Sequence, residues 1–525
     1  MKREPEKKWL FPRTALLDRL AAADCAVRDV RFLPFTFHFS LNTVFIVLFT
    51  FYLSLFTLSA AAQEVPPPQE AAKPPSAAVE EVTSSSKFSY SGYFRQESAV
   101  RIYSPVVFTK IMSYVRIETH YTFSEKVQLT VIPMAYYDAA PDLAQIDFIS
   151  RIIGPSTVLT ENPSVQTIAG TDVGNLRGVD IENKDAEFRE VYLDVHLPAL
   201  DLRLGRQIVR WGVVEGSRIV DEINPLDFKE FILRDVVDRY IPRWMVKSDL
   251  YLGETAIEGL YIPDLEFNKP APLTSQFEQF QILPGTIVPA DTIQNADWGA
   301  RISRNVLGAD FSLSYYYMWD PFPAAYRSAF GLGGFDVSPT VGFQPRYTKL
   351  RVYGGTFSRS FGKVVFSAEG ALVFDKYFGT LLGVDPANPA SFIMGETMKN
   401  YVKYAAGIDI NLFSTDLSFG MQQQKILNYD SNIIMREYET VLSFFGRRPF
   451  LNDRLTPSVL ALYFMVDNDT LLRPKIEYRM TDRLKLSAGL DMMIGSIGGP
   501  LPGNFHFIGF FKNESRVEFD VTYGF

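Results

Sequence analysis

Residues 515–525, SRVEFDVTYGF, alternate between polar and apolar side chains up to the last position. Successive side chains of a strand point to opposite faces, so Arg516, Glu518 and Asp520 share one face. The other face carries Val517, Phe519, Val521, Tyr523 and Phe525. A strand that is charged on one side and apolar on the other suits a transmembrane barrel, with water inside and lipid outside. The pattern therefore predicts the closing strand of a barrel wall.

The same ending resembles the C-terminal signal that barrel-assembly machinery recognises in outer-membrane proteins, in which a final Phe follows alternating aromatic and apolar positions. The resemblance identifies Tyr523 and Phe525 as the assembly signal. It also implies that the assembly machinery and outer-membrane lipids are partners of the chain.

Many upstream segments of about ten residues have the same period of two, which is the length that a tilted membrane-spanning strand needs. An Arg or Lys that faces lipid at the midplane costs about 2–4 kcal/mol, so the charged rows must face the lumen. The predicted lumen-lining residues are Arg116, Glu118, Glu190, Asp194, Arg473, Lys475, Glu477, Arg516, Glu518 and Asp520.

The connections between these segments alternate between short and long. Short, turn-like connections lie at 124–126, 198–201, 253–255, 360–363, 413–416 and 481–483. Longer, irregular ones lie at 139–185, 213–243, 264–297, 321–346 and 376–398. Bacterial barrels have an even number of strands, short periplasmic turns and longer extracellular loops. We therefore predict an all-β, antiparallel transmembrane barrel of about 18 strands, or 16 because residues 433–456 can be interpreted in two ways.

The apolar run at residues 44–58, VFIVLFTFYLSLFTL, is shorter than the roughly 20 residues that a membrane-spanning helix needs. Basic residues precede it and Ala60–Ala62 follow it, so residues 1–62 are predicted to be a signal peptide with an extended n-region. An uncleaved anchor is the alternative, and a start codon assigned too far upstream would also explain the extension. Residues 63–87, rich in Pro, Ala, Glu and Ser, are predicted to be a flexible periplasmic leader into a barrel at 88–525.

The composition argues against several classes of function. The net charge of −8 argues against a nucleic acid partner. Cys25, the one cysteine, lies in the predicted signal peptide, so disulfides and cysteine-bound metals are not expected. The histidines outside that segment, His120, His196 and His506, have no metal-ligand spacing, so we expect no metal, no cofactor and no catalytic residues.

One stretch departs from the wall pattern: residues 204–227, LGRQIVRWGVVEGSRIVDEINPLD. Its Gly-Arg-Gln at 205–207, Trp-Gly at 211–212 and Ile-Asn-Pro-Leu-Asp at 223–227 carry a family resemblance, as does Asp-Thr-Leu-Leu-Arg-Pro at 469–474. The chain resembles an outer-membrane barrel family catalogued only as a domain of unknown function. The resemblance implies porin-like passage or partnership with inner-membrane exporters of the resistance-nodulation-division type.

The segment after this motif is predicted to be a short helix from about Pro225 to Tyr240, with Asn224 as its N-cap. Because the segment is charged, it cannot face lipid, and we favour a plug folded into the lumen over an outer cap. Arg206 and Arg210 are expected to pair with acids of the plug. The predicted plug and gating residues are Arg206, Arg210, Trp211, Arg218, Asp221, Glu222, Asn224, Pro225, Asp227, Glu230 and Arg234. The alternative is that these arginines are structural ion pairs.

These observations favour a channel or transporter in the outer membrane of a Gram-negative bacterium, gated by the inward loop. Segments 264–292 and 321–343 are dense in Phe, Ile and Pro, which favours a hydrophobic or amphipathic small molecule as substrate. A general diffusion porin for polar solutes fits the charged wall equally well. A docking role at the outer end of an export pathway, with an inner-membrane exporter as partner, is the third hypothesis.

Overall fold

A computed structural model describes residues 87–140, 167–168, 171–172, 183–271, 276–277, 280–281, 286–324, 327–328, 346–385, 388–496, 498 and 506–525. All of the described residues belong to one compact unit, Pro67–Phe525. The predicted signal peptide and nearly all of the predicted leader lie outside the described residues.

The wall is a closed sheet of 18 antiparallel strands. Its strands are β1 Phe88–Arg101, β2 Phe108–Ser124, β3 Val127–Asp138, β4 Lys184–Leu197, β5 Leu200–Gln207, β6 Arg243–Leu252, β7 Thr255–Ile262, β8 Asp297–Val306, β9 Ala309–Trp319, β10 Lys349–Phe361, β11 Val364–Asp385, β12 Asn388–Leu412, β13 Thr415–Ile426, β14 Tyr438–Arg447, β15 Leu455–Phe464, β16 Asp469–Arg479, β17 Leu484–Ile494 and β18 Arg516–Gly524. Each strand pairs with the next, and β18 pairs with β1 from Tyr93↔Gly524 to Arg101↔Arg516. The prediction of 18 strands is confirmed, and the alternative of 16 is wrong because residues 433–456 contain all of β14 and the start of β15.

Alternation along the strands separates a lipid-type face from a lumen face, as predicted. On β1 and β18, Phe94 and Phe519 are 44% and 41% exposed, whereas Glu97 and Arg516 are buried. Directly paired residues lie on the same face of a sheet. The pair Glu97↔Asp520 therefore places the charges of the two closing strands together inside the barrel.

One rim of the barrel has short turns, including residues 125–126, 198–199, 253–254, 362–363 and 413–414. These lie within the predicted short connections, and the connection at 480–483 falls on the same rim. The opposite rim carries the connections 139–183, 208–242, 263–296 and 320–348. Short elements on this rim include two 3-10 helices, Ile293–Asn295 in the connection 263–296 and Gly509–Glu514 in the connection between β17 and β18. Two pairs of two-residue strands, Thr167–Ile168 with Thr171–Asp172 and Phe280–Gln281 with Arg327–Ser328, also lie there.

The predicted irregular loop at 376–398 is wrong. Strands β11 and β12 continue through this region as a hairpin, from Lys376↔Lys399 to Asp385↔Asn388. A hairpin pairs its own backbone N–H and C=O groups, so it needs no further support beyond the wall. The irregularities there are register shifts, such as the one between Leu381 and Gly383.

The predicted helix at 225–240 is also wrong, since a single helical turn, α1 (Val236–Arg239), forms at its end. Leu226 forms an antiparallel bridge with Tyr240, and Asp227 forms a parallel bridge with Lys269. Phe231 has a φ of 56°, which no α-helix accommodates. Backbone groups that a helix would pair internally are therefore paired with other parts of the chain. Among the residues that the structure describes, no helix is long and apolar enough to cross a membrane.

Candidate functional site

The connection between β5 and β6, residues 208–242, crosses the inside of the barrel, and we call it the lumen loop. Its Trp211 indole N–H donates to Glu258 on β7 at 2.8 Å, and its Lys229 Nζ donates to Tyr136 on β3 at 3.2 Å. Its Val213 N–H donates to Glu369 on β11 at 2.6 Å. Its Glu230 carboxylate pairs with Arg516 on β18 at 3.2 Å. A segment that touches inward side chains on strands so far apart around a closed wall must lie in the lumen.

The two ends of the lumen loop are joined by Asn224, whose side chain is fully buried. Its Oδ1 accepts the N–H of Val209 at 2.9 Å, and its Nδ2 donates to the carbonyl of Ile241 at 2.9 Å. Arg218 adds a bond from Nη2 to the Asn224 carbonyl at 2.6 Å. The Pro225 carbonyl accepts the Ile241 N–H at 2.9 Å. Asn224 therefore fixes the base of the loop, instead of capping a helix as predicted.

Residues 209–223 of the lumen loop pack an apolar side against the wall. Trp211 is 1% exposed and meets Tyr316 on β9 at 6.0 Å between ring centroids. At Gly299 on β8, a Cβ atom would lie 2.9 Å from the Trp211 ring, so the wall has to be bare where the indole rests. Val220 and Ile223 extend the same buried cluster. This burial holds the loop against β7–β11 without blocking its charged side.

Glu369 on β11 anchors the backbone of the loop. Its carboxylate accepts N–H groups from Val213 at 2.6 Å, Val214 at 2.5 Å and Val220 at 3.4 Å. Buried backbone donors need such acceptors, because leaving one unpaired costs about 1–3 kcal/mol. Sequence reasoning missed Glu369, although its signal was present: it is a lone acid on an inward row with Ser367 and Ala371.

Ion pairs of Glu222 and Glu230 hold the lumen loop to the wall. Glu222 pairs with Lys403 on β12. Burial alone would raise the pKa of the Glu222 carboxyl, but Lys403 and Arg218 outweigh it, so the pKa lies below its ordinary value. Glu230 pairs with Lys110 on β2 at 2.9 Å, with Arg516 at 3.2 Å and with Arg234 at 3.8 Å.

Burial and neighbouring charges also shift the pKa of Glu230, downwards, and that of Tyr240, upwards. Burial opposes the ionisation of Glu230, but Lys110, Arg516 and Arg234 outweigh it and lower its pKa. Burial and the neighbouring Asp221 carboxylate together raise the pKa of Tyr240 to about 12. The Tyr240 hydroxyl therefore stays protonated and donates to Asp221. These groups keep fixed protonation states near neutral pH, which suits a structural anchor.

Of the two arginines expected to pair with acids of the loop, Arg210 contacts one and Arg206 does not. Arg206 pairs with Glu187 on β4 at 2.8 Å and lies in register with the half-exposed Trp244, so its expected pairing with acids of the loop is wrong. Arg210 lies 4.0 Å from Asp221 with its side chain 48% exposed, which makes it a weak contact. Asp227 accepts the Lys229 N–H at 2.8 Å and shapes a local turn.

The predicted lumen-lining residues occupy inward positions of the wall and pair with one another or with other side chains and backbone groups inside the barrel. Arg473 and Arg516 share Asp491 at 2.5 Å and 2.8 Å. The remaining contacts are Lys475–Asp520 at 3.5 Å, Glu477–Lys485 at 3.4 Å, Glu518–Arg516 at 2.5 Å, Asp194–Arg203 at 2.6 Å, Glu118–His120 at 3.2 Å and Glu190 with the Ile208 N–H at 3.1 Å. Arg116 lies in register with Tyr93 on β1. Within the described part of the chain, no group of three or more His, Cys, Asp or Glu residues could hold a metal ion.

The predicted assembly signal lies at the seam of the barrel. Phe525 exchanges two backbone hydrogen bonds with Gly92 of β1, each 3.0 Å long. Its ring lies over Gly92, where a Cβ atom would come within 2.8 Å of it. The Tyr523 and Phe525 side chains are half exposed on the outer face.

Solved structures similar to this chain include several barrels. OpdK of Pseudomonas aeruginosa with vanillate is 9% identical, with a TM-score of 0.44, and covers 83% of this chain and 98% of its own. A BenF-like porin from Pseudomonas fluorescens Pf-5 gives the same four values. OccAB2 of Acinetobacter baumannii is 12% identical, with a TM-score of 0.45 and coverage of 83% and 98%. No curated protein matches the sequence. A family profile matches residues 111–488, so the chain belongs to the family described as protein of unknown function (DUF1302).

Proposed function

We propose that this protein is a channel in the outer membrane of a Gram-negative bacterium and that the lumen loop is its gate. The observation that carries the proposal is the loop itself. A closed wall of 16–18 strands encloses more space than side chains fill, and an aqueous channel is the usual result. Here residues 208–242 occupy that space, so passage depends on how this loop fits against the wall.

The charged wall supports polar solutes as the substrate class. Lys475, Glu477 and Lys485 form ion pairs inside the barrel with 37%, 34% and 45% of their side chains exposed. Such groups keep water in the lumen and would oppose the passage of an apolar molecule.

A second candidate is a hydrophobic or amphipathic solute, supported by a cluster of apolar side chains around Phe231, on the rim with the long connections. Phe231 of the lumen loop packs there with Phe277, Phe511 and Ile508, so the loop presents apolar as well as charged side chains inside the barrel. Most of the Phe-rich segment 321–343 lies outside the described residues. A role beside an inner-membrane exporter is a further proposal, based on the family resemblance alone, which co-purification of cross-linked complexes would test.

The test of the channel proposal is the conductance of the purified protein in planar bilayers. One variant replaces residues 213–240 with a short Gly-Ser linker and keeps Ile241–Arg243, because Arg243 is buried in an ion pair with Asp297 at 2.8 Å. The control variant lacks residues 288–292, which belong to another connection of the same rim. We expect the first deletion to raise single-channel conductance strongly and the second to leave it unchanged.

Equal conductance of the intact protein and the loop-shortened variant would mean that the loop is not the barrier. Absence of conductance in both, with correctly folded barrels, would refute the channel. Flux of small sugars compared with flux of a fatty acid into proteoliposomes would separate the two substrate classes.

A further inference from the structure

We infer that solutes pass the lumen loop on one side, through a crevice between the loop tip and the inner face of β11–β14. This inference rests on the proposed channel and adds the route and the class of solute. Val214 and Glu215 of the tip line the crevice on one side. Ser367, Gly407, Gly420 and Ser443 line it on the wall side.

The wall recedes at this place because one row of inward positions is small. The register joins Ser367 to Gly407, Gly407 to Gly420, and Gly420 to Ser443, so four neighbouring strands contribute a Ser or Gly at one level. The row continues to Ser358 on β10. With side chains this short, four adjacent strands extend little into the lumen.

Another sector of the wall, one strand beyond β14, is filled. Around β16, β17, β18 and β1, the inward positions hold long, ion-paired side chains such as Arg473, Arg516 and Glu97. The ion pair between Glu230 and Arg516 joins the lumen loop to this sector. The wall therefore leaves more space beside the loop at the small-residue row than at the sector of long, ion-paired side chains.

The tip of the loop packs against the row at Gly407, whereas none of the three nearest atoms to a Cβ built at Gly420 belongs to the loop. Glu369 holds the backbone of Val213 and Val214, and a Cβ atom at Gly407 would lie 3.2 Å from Val214. The chain then turns away at Gly216, which has a φ of 76° and no atom within 4 Å of a Cβ built on it. Glu215 is exposed at the edge of the turn.

The lining defines the class of solute. The lining residues include Ser367, Ser418, Ser443, Glu215 and Asp409 and no Lys or Arg. Hydroxyl and carboxylate groups can replace the water around a polar solute, and negative charges along a pore disfavour anions. The route therefore suits small hydrophilic solutes that are neutral or cationic.

The test is modification of a single thiol in the crevice. Ser443→Cys is made in a Cys25→Ser background, so that the chain has no other cysteine. The matched control is Ser487→Cys on β17, an inward serine bonded to Asp520 at 2.8 Å in the filled sector. Both variants are reconstituted in planar bilayers and treated with a cationic methanethiosulfonate, and mass spectrometry reports the extent of labelling.

We expect the reagent to label Ser443→Cys and to remove most of its conductance, whereas Ser487→Cys keeps most of its own. Full labelling of Ser443→Cys with unchanged conductance would overturn the route, and so would failure of the reagent to reach that thiol in a folded, conducting barrel. Ser443→Trp gives an independent check, since it should block without any reagent. Failure of the channel proposal is distinguishable, because then the unmodified parent protein does not conduct.

Discussion

Replacing Glu230 with Gln should open the lumen loop more often. This carboxylate joins the loop to Lys110 at 2.9 Å and to Arg516 at 3.2 Å, and both wall side chains are buried. Glutamine has nearly the same shape but no charge, so the substitution removes both ion pairs to the wall, together with the pair to Arg234 within the loop, and leaves the packing in place.

The size of the effect depends on which ion-pair partners Lys110 and Arg516 retain after the substitution. Removing one partner of a buried ion pair costs about 3–5 kcal/mol when the other is left unpaired. Here Lys110 retains Glu97 at 2.5 Å, and Arg516 retains Asp491 at 2.8 Å. We therefore expect about 2 kcal/mol, within the range of one lost charged hydrogen bond, which corresponds to roughly a 30-fold larger population of the displaced loop.

The assay is the frequency of large-conductance openings of single channels in planar bilayers. The matched control is Glu518→Gln, which removes a carboxylate from the same Arg516 at 2.5 Å but lies on the wall strand β18. It should change the opening frequency far less than Glu230→Gln does. Unchanged opening frequency in a folded Glu230→Gln barrel, or an equal increase in the control, would refute the anchoring role.

Four further expectations follow. The lowered pKa of Glu230 means that its ion pairs persist at neutral pH and weaken as the pH falls through that pKa, so openings should increase only in acid; an increase between pH 6 and 8 would contradict this. Deleting Phe525 should lower the amount of inserted barrel in cells, because it removes the predicted assembly signal. The burial lost, about 1.5–3 kcal/mol, is too small to unfold a finished barrel, and normal surface levels would count against the assembly signal. Trp211→Ala should destabilise the packed loop by about 3–5 kcal/mol, seen as a lower temperature of barrel unfolding on heated gels, while an unchanged temperature would show that the indole is not an anchor. Arg210→Ala should leave the opening frequency nearly unchanged, since its contact with Asp221 spans 4.0 Å at an exposed side chain, and a large increase would contradict the weak contact.

The wall of this protein could be predicted from the sequence because its signal is local. A strand between lipid and water must alternate in polarity, so segments such as 515–525 reveal their faces without any knowledge of their neighbours. The same pattern, with the turns between segments, predicted the 18 strands of the wall. At 376–398 the prediction of a loop was wrong, because two long strands pair there.

The lumen loop is different, because its conformation depends on groups that only barrel closure brings together. The sequence identified residues 213–243 as a charged insert that could fold inward, and it singled out Trp211, Asn224 and Glu230. It could not predict that Asn224 would join the two ends of the loop or that Glu369, over a hundred residues away, would accept three of its backbone N–H groups. Helix propensity between Pro225 and Tyr240 is worth only a few tenths of a kcal/mol per residue, so these non-local bonds prevail. The sequence by itself determined the barrel, and the tertiary structure decided where the loop is anchored and where the wall recedes beside it.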